Sequence, residues 1–182
     1  MKTSLYLFLA ILLIFPGCNS KNKEAIRQEE KVYQIHQTII DNEARLQQQI
    51  AEVMEIQMDE NNSMYMDTSN QQLQREIDSM YLVYEELKTQ VAASEKSIRQ
   101  NNKLKAYPLL LNASADFIDS YGKIVNQEYS VLLQLISLKD TAYTNEKHQA
   151  YLSTIRQLNN NLDNTVKQFN KSLDNFEEKH FD

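Results

Sequence analysis

Three polar side chains interrupt otherwise apolar helical stripes and are the first candidates for chemistry: His36, Glu43 and Glu128. Carboxylates and imidazoles that face the inside of a helical bundle can hold two metal ions when each of two helices supplies a Glu-x-x-His pair. The sequence contains this spacing once, at Glu177 and His180 near its C-terminus. We therefore expect no metal site and no cofactor.

The candidate residues can also be compared by their height along the helices. If neighbouring helices run antiparallel, Glu43 and Glu128 fall within about one helical turn of each other, with Tyr84 alongside. His36 falls about two turns away, or ~10 Å, and does not join them. Such a buried polar layer can fix the register of a bundle, which is the interpretation we favour. The alternative is a small-ligand or metal carrier that uses this layer.

Glycine is almost absent from the chain, which excludes several enzyme classes. Only Gly17 and Gly122 occur, whereas phosphate-binding loops, dinucleotide-binding fingerprints and nucleophile elbows each need closely spaced glycines. No pair of nucleophile and base can be assembled from the other residues. The formal net charge of −6 argues against a nucleic-acid partner. We expect a protein that is not an enzyme.

Helices must position these residues, because the 182-residue chain has only two glycines and two prolines. The clearest apolar stripe steps by fours and threes from Leu73 to Ile98, which is typical of a helix packed at a shallow angle against its neighbours. An earlier stripe repeats every seven residues from Val32 to Val53, and a later one includes Val131. The patterns predict helices at about 25–57, 69–101, 108–138 and 145–179.

The predicted helices have similar lengths and short connections, which favours antiparallel neighbours. We therefore predict an all-α fold, an antiparallel up-down-up-down four-helix bundle that forms a single domain over residues 25–182. The alternative is a pair of long helical hairpins that dimerise. The sequence leaves the oligomeric state open.

The N-terminus has the composition of an export signal. An apolar run from Leu5 to Phe15 is followed by Pro16, Gly17 and Cys18, the only cysteine of the chain. This arrangement resembles a bacterial lipoprotein precursor, in which a cysteine directly after a small residue is acylated and becomes the first residue. The alternative is ordinary secretion, in which Cys18 is lost.

The resemblance implies a division of the N-terminal region and a location. Residues 1–17 would be a cleaved signal peptide, and residues 18–24 a lipidated tether that carries fatty acids such as palmitate on Cys18. Several acyl chains hold a protein stably on a membrane. Asn19 after the cysteine implies sorting to the outer membrane, where we favour the periplasmic face.

The loop between the first two predicted helices is the candidate partner-binding surface. It combines an aromatic ring with flexible thioethers, a composition typical of protein docking patches, in Met58, Met64, Tyr65 and Met66. The same residues could instead fold back and close the end of the bundle. We expect a non-catalytic, lipid-anchored envelope protein that binds another envelope protein or has a structural role.

Overall fold

The computed structural model describes residues 20–60, 66–138 and 144–181; in these ranges nearly every residue is helical, and there is no strand. The prediction of an all-α protein is confirmed. The helices are α1 (Ser20–Glu60), α2 (Met66–Gln100), α3 (Pro108–Ile124), α4 (Ser130–Ile136) and α5 (Asn145–Phe181). A short 3₁₀ turn (Leu104–Ala106) follows α2. A π turn (Val125–Tyr129) joins α3 to α4, which therefore form one continuous helical segment, the α3–α4 segment. The described part of the chain thus has four long helical segments.

The helix ends differ from the predicted ones by a few residues. Helix α1 begins five residues before the predicted start, so residues 20–24 of the predicted tether have helical backbone. Helix α2 ends where the side chain of Asn101 accepts hydrogen bonds from the backbone amides of Lys103 and Leu104. Pro108 starts α3 at a position where its missing amide proton costs nothing.

The apolar stripes meet in one core. The four residues of α1 that repeat every seven positions are at most 1% exposed, because this spacing keeps them on one face of the helix: Val32, Ile39, Leu46 and Val53. Tyr33, next to Val32 in the sequence, lies off this face and is 54% exposed. Helix α1 lies along α2, and α3 lies along α5.

The π turn changes which residues of α4 face the core. Each turn of a π-helix holds more residues than an α-helical turn, so the residues after it face a different direction from the one that a continuous α-helix would give them. Val131, predicted to be buried, is 45% exposed, whereas Tyr129 and Leu133 are fully buried. The prediction for Val131 was wrong because the sequence pattern was read as one continuous α-helix.

The described helices are amphipathic rather than uniformly apolar. Within residues 20–60, 66–138 and 144–181, none of them has the length and apolar character needed to cross a membrane.

Candidate functional site

The buried carboxylate of Glu43 is the centre of a hydrogen-bond cluster. Tyr121 donates to Oε2 of Glu43 at 3.0 Å, and Tyr129 donates to Oε1 at 2.5 Å. The side-chain amide of Gln47, one turn along α1, also donates to Oε1 at 2.5 Å and to the Tyr129 hydroxyl at 3.2 Å. Three donors from two helical segments therefore satisfy a carboxylate that is only 7% exposed.

The two tyrosines act as donors and not as acids. Burial, and then the neighbouring charge of Glu43, raise the pKa of both hydroxyls well above the ordinary value of 10. Both hydroxyls stay protonated at neutral pH, so they can hold the carboxylate but cannot supply a phenolate. This cluster is suited to fixing the register between α1 and the α3–α4 segment.

The π turn organises a second set of polar contacts. Tyr84 of α2 donates to the backbone oxygen of Val125 at 3.1 Å, at the first residue of the turn. Asn161 of α5 donates to Oε1 of Glu128 at 2.6 Å. The other oxygen of Glu128, Oε2, is buried and has no hydrogen-bond partner within the described ranges of the chain.

The three residues of the predicted polar layer thus have different partners. Glu43 bonds to tyrosines of the α3–α4 segment, Tyr84 to a backbone carbonyl and Glu128 to an asparagine of α5. All three are buried. Sequence reasoning missed Gln47, Tyr121, Tyr129 and Asn161 as the partners. Only the spacing of four between Glu43 and Gln47 was a visible signal.

His36 is buried between two phenylalanines. Its ring stacks on Phe117 of α3, with centroids 4.2 Å apart, and makes a T-shaped contact with Phe169 of α5, with centroids 4.0 Å apart. The residue is 2% exposed, and neither ring nitrogen has a hydrogen-bond partner among the residues that the structure describes. Burial lowers the pKa of His36 to about 3, so its imidazole is neutral at physiological pH.

A pair of carboxyls links α1 to α5 at the end of the molecule where α1 begins. Burial first, and then the hydrogen bond and the charge of Glu177, raise the pKa of Glu29 to about 8. The other half of the Glu-x-x-His spacing, His180, packs its ring against Phe176 and Tyr107. In the described part of the chain no three side chains of His, Cys, Asp or Glu are grouped so that they could hold a metal ion.

The structure does not describe the predicted lipidation site or the centre of the predicted partner-binding surface. Cys18, Met64 and Tyr65 lie outside the described residues. Met58 and Met66 belong to the helical backbone of α1 and α2, but their side chains lie outside those described.

Comparison with family models, curated proteins and solved structures finds no match.

Proposed function

We propose that this protein is a lipid-anchored, non-catalytic protein of the bacterial cell envelope that presents a helical body to another envelope protein. The observation that carries the proposal is the position of Cys18, the only cysteine, directly after Gly17 at the end of the apolar run. Helix α1 begins at Ser20, two residues after that cysteine. An acyl anchor on Cys18 would therefore hold the helical body close to the surface of the outer membrane, on its periplasmic face.

The helical segments would form an up-down-up-down antiparallel bundle. Support comes from contacts in which the residue number rises along one segment and falls along its neighbour. For α1 and α2 the pairs are Gln28–Asn101 and Arg45–Glu86; for α2 and the third segment, Arg99–Asp119 and Tyr81–Ser137; for the third segment and α5, Phe117–Phe169 and Glu128–Asn161.

The buried polar groups would serve this architecture and not a reaction. Glu43 is satisfied by three donors from the protein itself, which leaves it neither free to accept a proton from a substrate nor open to solvent. A buried polar contact that is satisfied in only one alignment of the helices favours that alignment over shifted ones. The cluster would thus hold α1 in register with the α3–α4 segment.

The end of the molecule far from Cys18 would carry the partner-binding surface. Helix α1 has 41 residues and spans ~60 Å at 1.5 Å per residue, so its C-terminal end lies far from the anchor. The partner would bind to the thioethers and the aromatic ring of four residues at or just after the C-terminal end of α1 in the sequence: Met58, Met64, Tyr65 and Met66.

The anchor is tested by metabolic labelling with a fatty acid and by fractionation of membranes. Wild type should carry the label and sediment with the outer membrane, whereas Cys18→Ser should lose both properties. Release of the unlabelled wild-type protein into the soluble fraction would refute the anchor.

The partner-binding surface is tested by crosslinking in cells, followed by identification of the captured protein. Deletion of Met64 to Met66 should abolish capture of a specific protein without lowering the melting temperature. A large fall in melting temperature would mean that these residues close the end of the bundle instead. Deletion of residues 141–143, which precede α5 in the sequence, is the matched control.

A second candidate function, a periplasmic carrier of a small ligand or metal ion, is favoured by one observation. Oε2 of Glu128 is buried without a partner in the described part of the chain, and a carboxylate oxygen in that state can accept a hydrogen bond or bind a cation. A carrier should show a rise in melting temperature with a panel of divalent cations and polar metabolites. Glu128→Gln should remove that rise, and so should Glu43→Gln if the whole layer takes part.

A further inference from the structure

A cleft between α3 and α5 has a volume of about 250 Å³. Small side chains leave this space open, while Phe117 and Phe169 form its apolar floor. The small residues are Ala113, Ser120, Thr165 and Ser172. The exposed side chains of Asp116 and Lys171 stand at its mouth. The cleft therefore has an apolar floor and a polar rim, so it can offer a small molecule both kinds of contact.

His36 lies behind this floor. It belongs to α1 and touches the rings of both Phe117 and Phe169, but it is not one of the residues that line the cleft. The two phenylalanines thus separate its imidazole from the open space. The rings of His36 and Phe169 make a T-shaped contact with centroids 4.0 Å apart, so Phe169 is the side chain whose rotation would join the cleft to the imidazole.

The imidazole has an unused capacity to recognise a polar group. A neutral histidine ring offers one N–H donor and one nitrogen acceptor, and at His36 no described residue bonds to either. Leaving such groups buried without partners is costly, whereas the polar cluster around Glu43 in the same core is fully paired. A ligand that bonds to the nitrogens of His36 would therefore remove a cost that the folded protein otherwise carries.

We propose that this cleft binds a small aromatic molecule with a hydroxyl or amino group, and that His36 recognises the polar group. A cavity of about 150 Å³ holds benzene, so the present volume accommodates one ring and its substituent. The ring would lie against Phe117, which favours offset or edge-to-face contacts with other aromatic rings. With Phe169 rotated aside, the hydroxyl or amino group would bond to His36. This site is independent of the lipid anchor and of the proposed partner-binding residues.

The experiment is a titration of the purified full-length protein with phenol, and separately with toluene, which has the same ring without the hydroxyl. Binding is followed by the imidazole ¹⁵N resonances, of which the chain has three sets, and by calorimetry. Phenol should shift the His36 resonances and bind about five- to tenfold more tightly than toluene, the ratio that one net hydrogen bond gives. His36→Leu should reduce the affinity for phenol to that for toluene.

Cleft-filling variants separate this site from binding elsewhere. Thr165→Leu and Ser120→Leu should each abolish binding of both compounds, and Ser97→Leu on the exposed face of α2 should change neither. The Ser120 variant keeps the test valid if the buried Thr165 position does not tolerate leucine, which circular dichroism will show. Equal affinity of wild type for phenol and toluene, an unshifted His36, or undiminished binding in the Ser120 variant would each overturn the proposal.

Discussion

Replacing His36 with leucine should change how the stability of the protein depends on pH. The pKa of His36 is lowered by burial from 6.5 to about 3, so between these values the unfolded chain binds a proton that the folded protein excludes. Protonation of His36 in the unfolded chain therefore lowers the free energy of unfolding as the pH falls from 6.5 toward 3, whereas above pH 6.5 this loss is absent. His36→Leu removes this loss.

The magnitude follows from the difference between the two values. They differ by about 3.5, and one pKa unit corresponds to about 1.4 kcal/mol, so the complete effect is about 5 kcal/mol. Over each pH unit in this window, wild type should lose up to about 1.4 kcal/mol more than the variant. The residue is 2% exposed, so solvent does not screen the effect. Leucine also removes two unpaired nitrogens from the core.

Urea unfolding followed by circular dichroism, repeated at several pH values from 7 downward, measures this difference. The opposite tendency of Glu29, whose raised pKa favours the folded state in acid, is present in both proteins and cancels in the comparison. His148→Leu, which removes an exposed imidazole of α5, is the control and should follow wild type. A constant difference between wild type and His36→Leu at every pH would refute the argument that burial keeps this imidazole neutral.

Three further predictions concern single side chains. Tyr129→Phe removes a donor to the buried carboxylate of Glu43, so urea denaturation should show a loss of about 1.5–3 kcal/mol. Glu29→Gln relieves the burial of a charge beside Glu177; its melting temperature should exceed that of wild type by an amount that grows from pH 4.5 to about 8. Asn101→Ala removes the side chain that ends α2 and contacts α1, and thermal melting should show a loss of about 1 kcal/mol or more.

Each of these variants has a control that removes the same group from an exposed position. The controls are Tyr33→Phe, Glu178→Gln and Asn102→Ala. Equal effects in a variant and its control would contradict the contact assigned to that side chain. A difference for Glu29→Gln that does not vary with pH would contradict the raised pKa in particular.

The helical class and much of the core could be predicted from the sequence, because burial on one side of a long helix leaves a repeat in the chain. Val32, Ile39, Leu46 and Val53 show this repeat without interruption, and all four are buried. The stripe of α2 shows it as well, with Leu87 fully buried near its middle. These assignments need only the geometry of one helix at a time.

The partners of the polar residues could not be predicted in the same way. The height of a residue along its helix follows from the sequence, but the direction in which it faces its neighbours depends on how several helices pack. Glu43 and Glu128 were placed at similar heights, yet the first bonds to Tyr121 and Tyr129 and the second to Asn161. The π turn adds to the difficulty, since no residue type marks it in advance.

The π turn at residues 125–129 is a place where the chain can lose one residue without a change in the core. It holds one residue more than an α-helical turn of the same rise, so removal of one residue there would restore a continuous helix while α3 and α4 keep their places. The buried side chains on either side, such as Ile118 and Leu132, would retain their neighbours. A relative that is one residue shorter at this point could therefore share the same core, and an alignment should place its gap here.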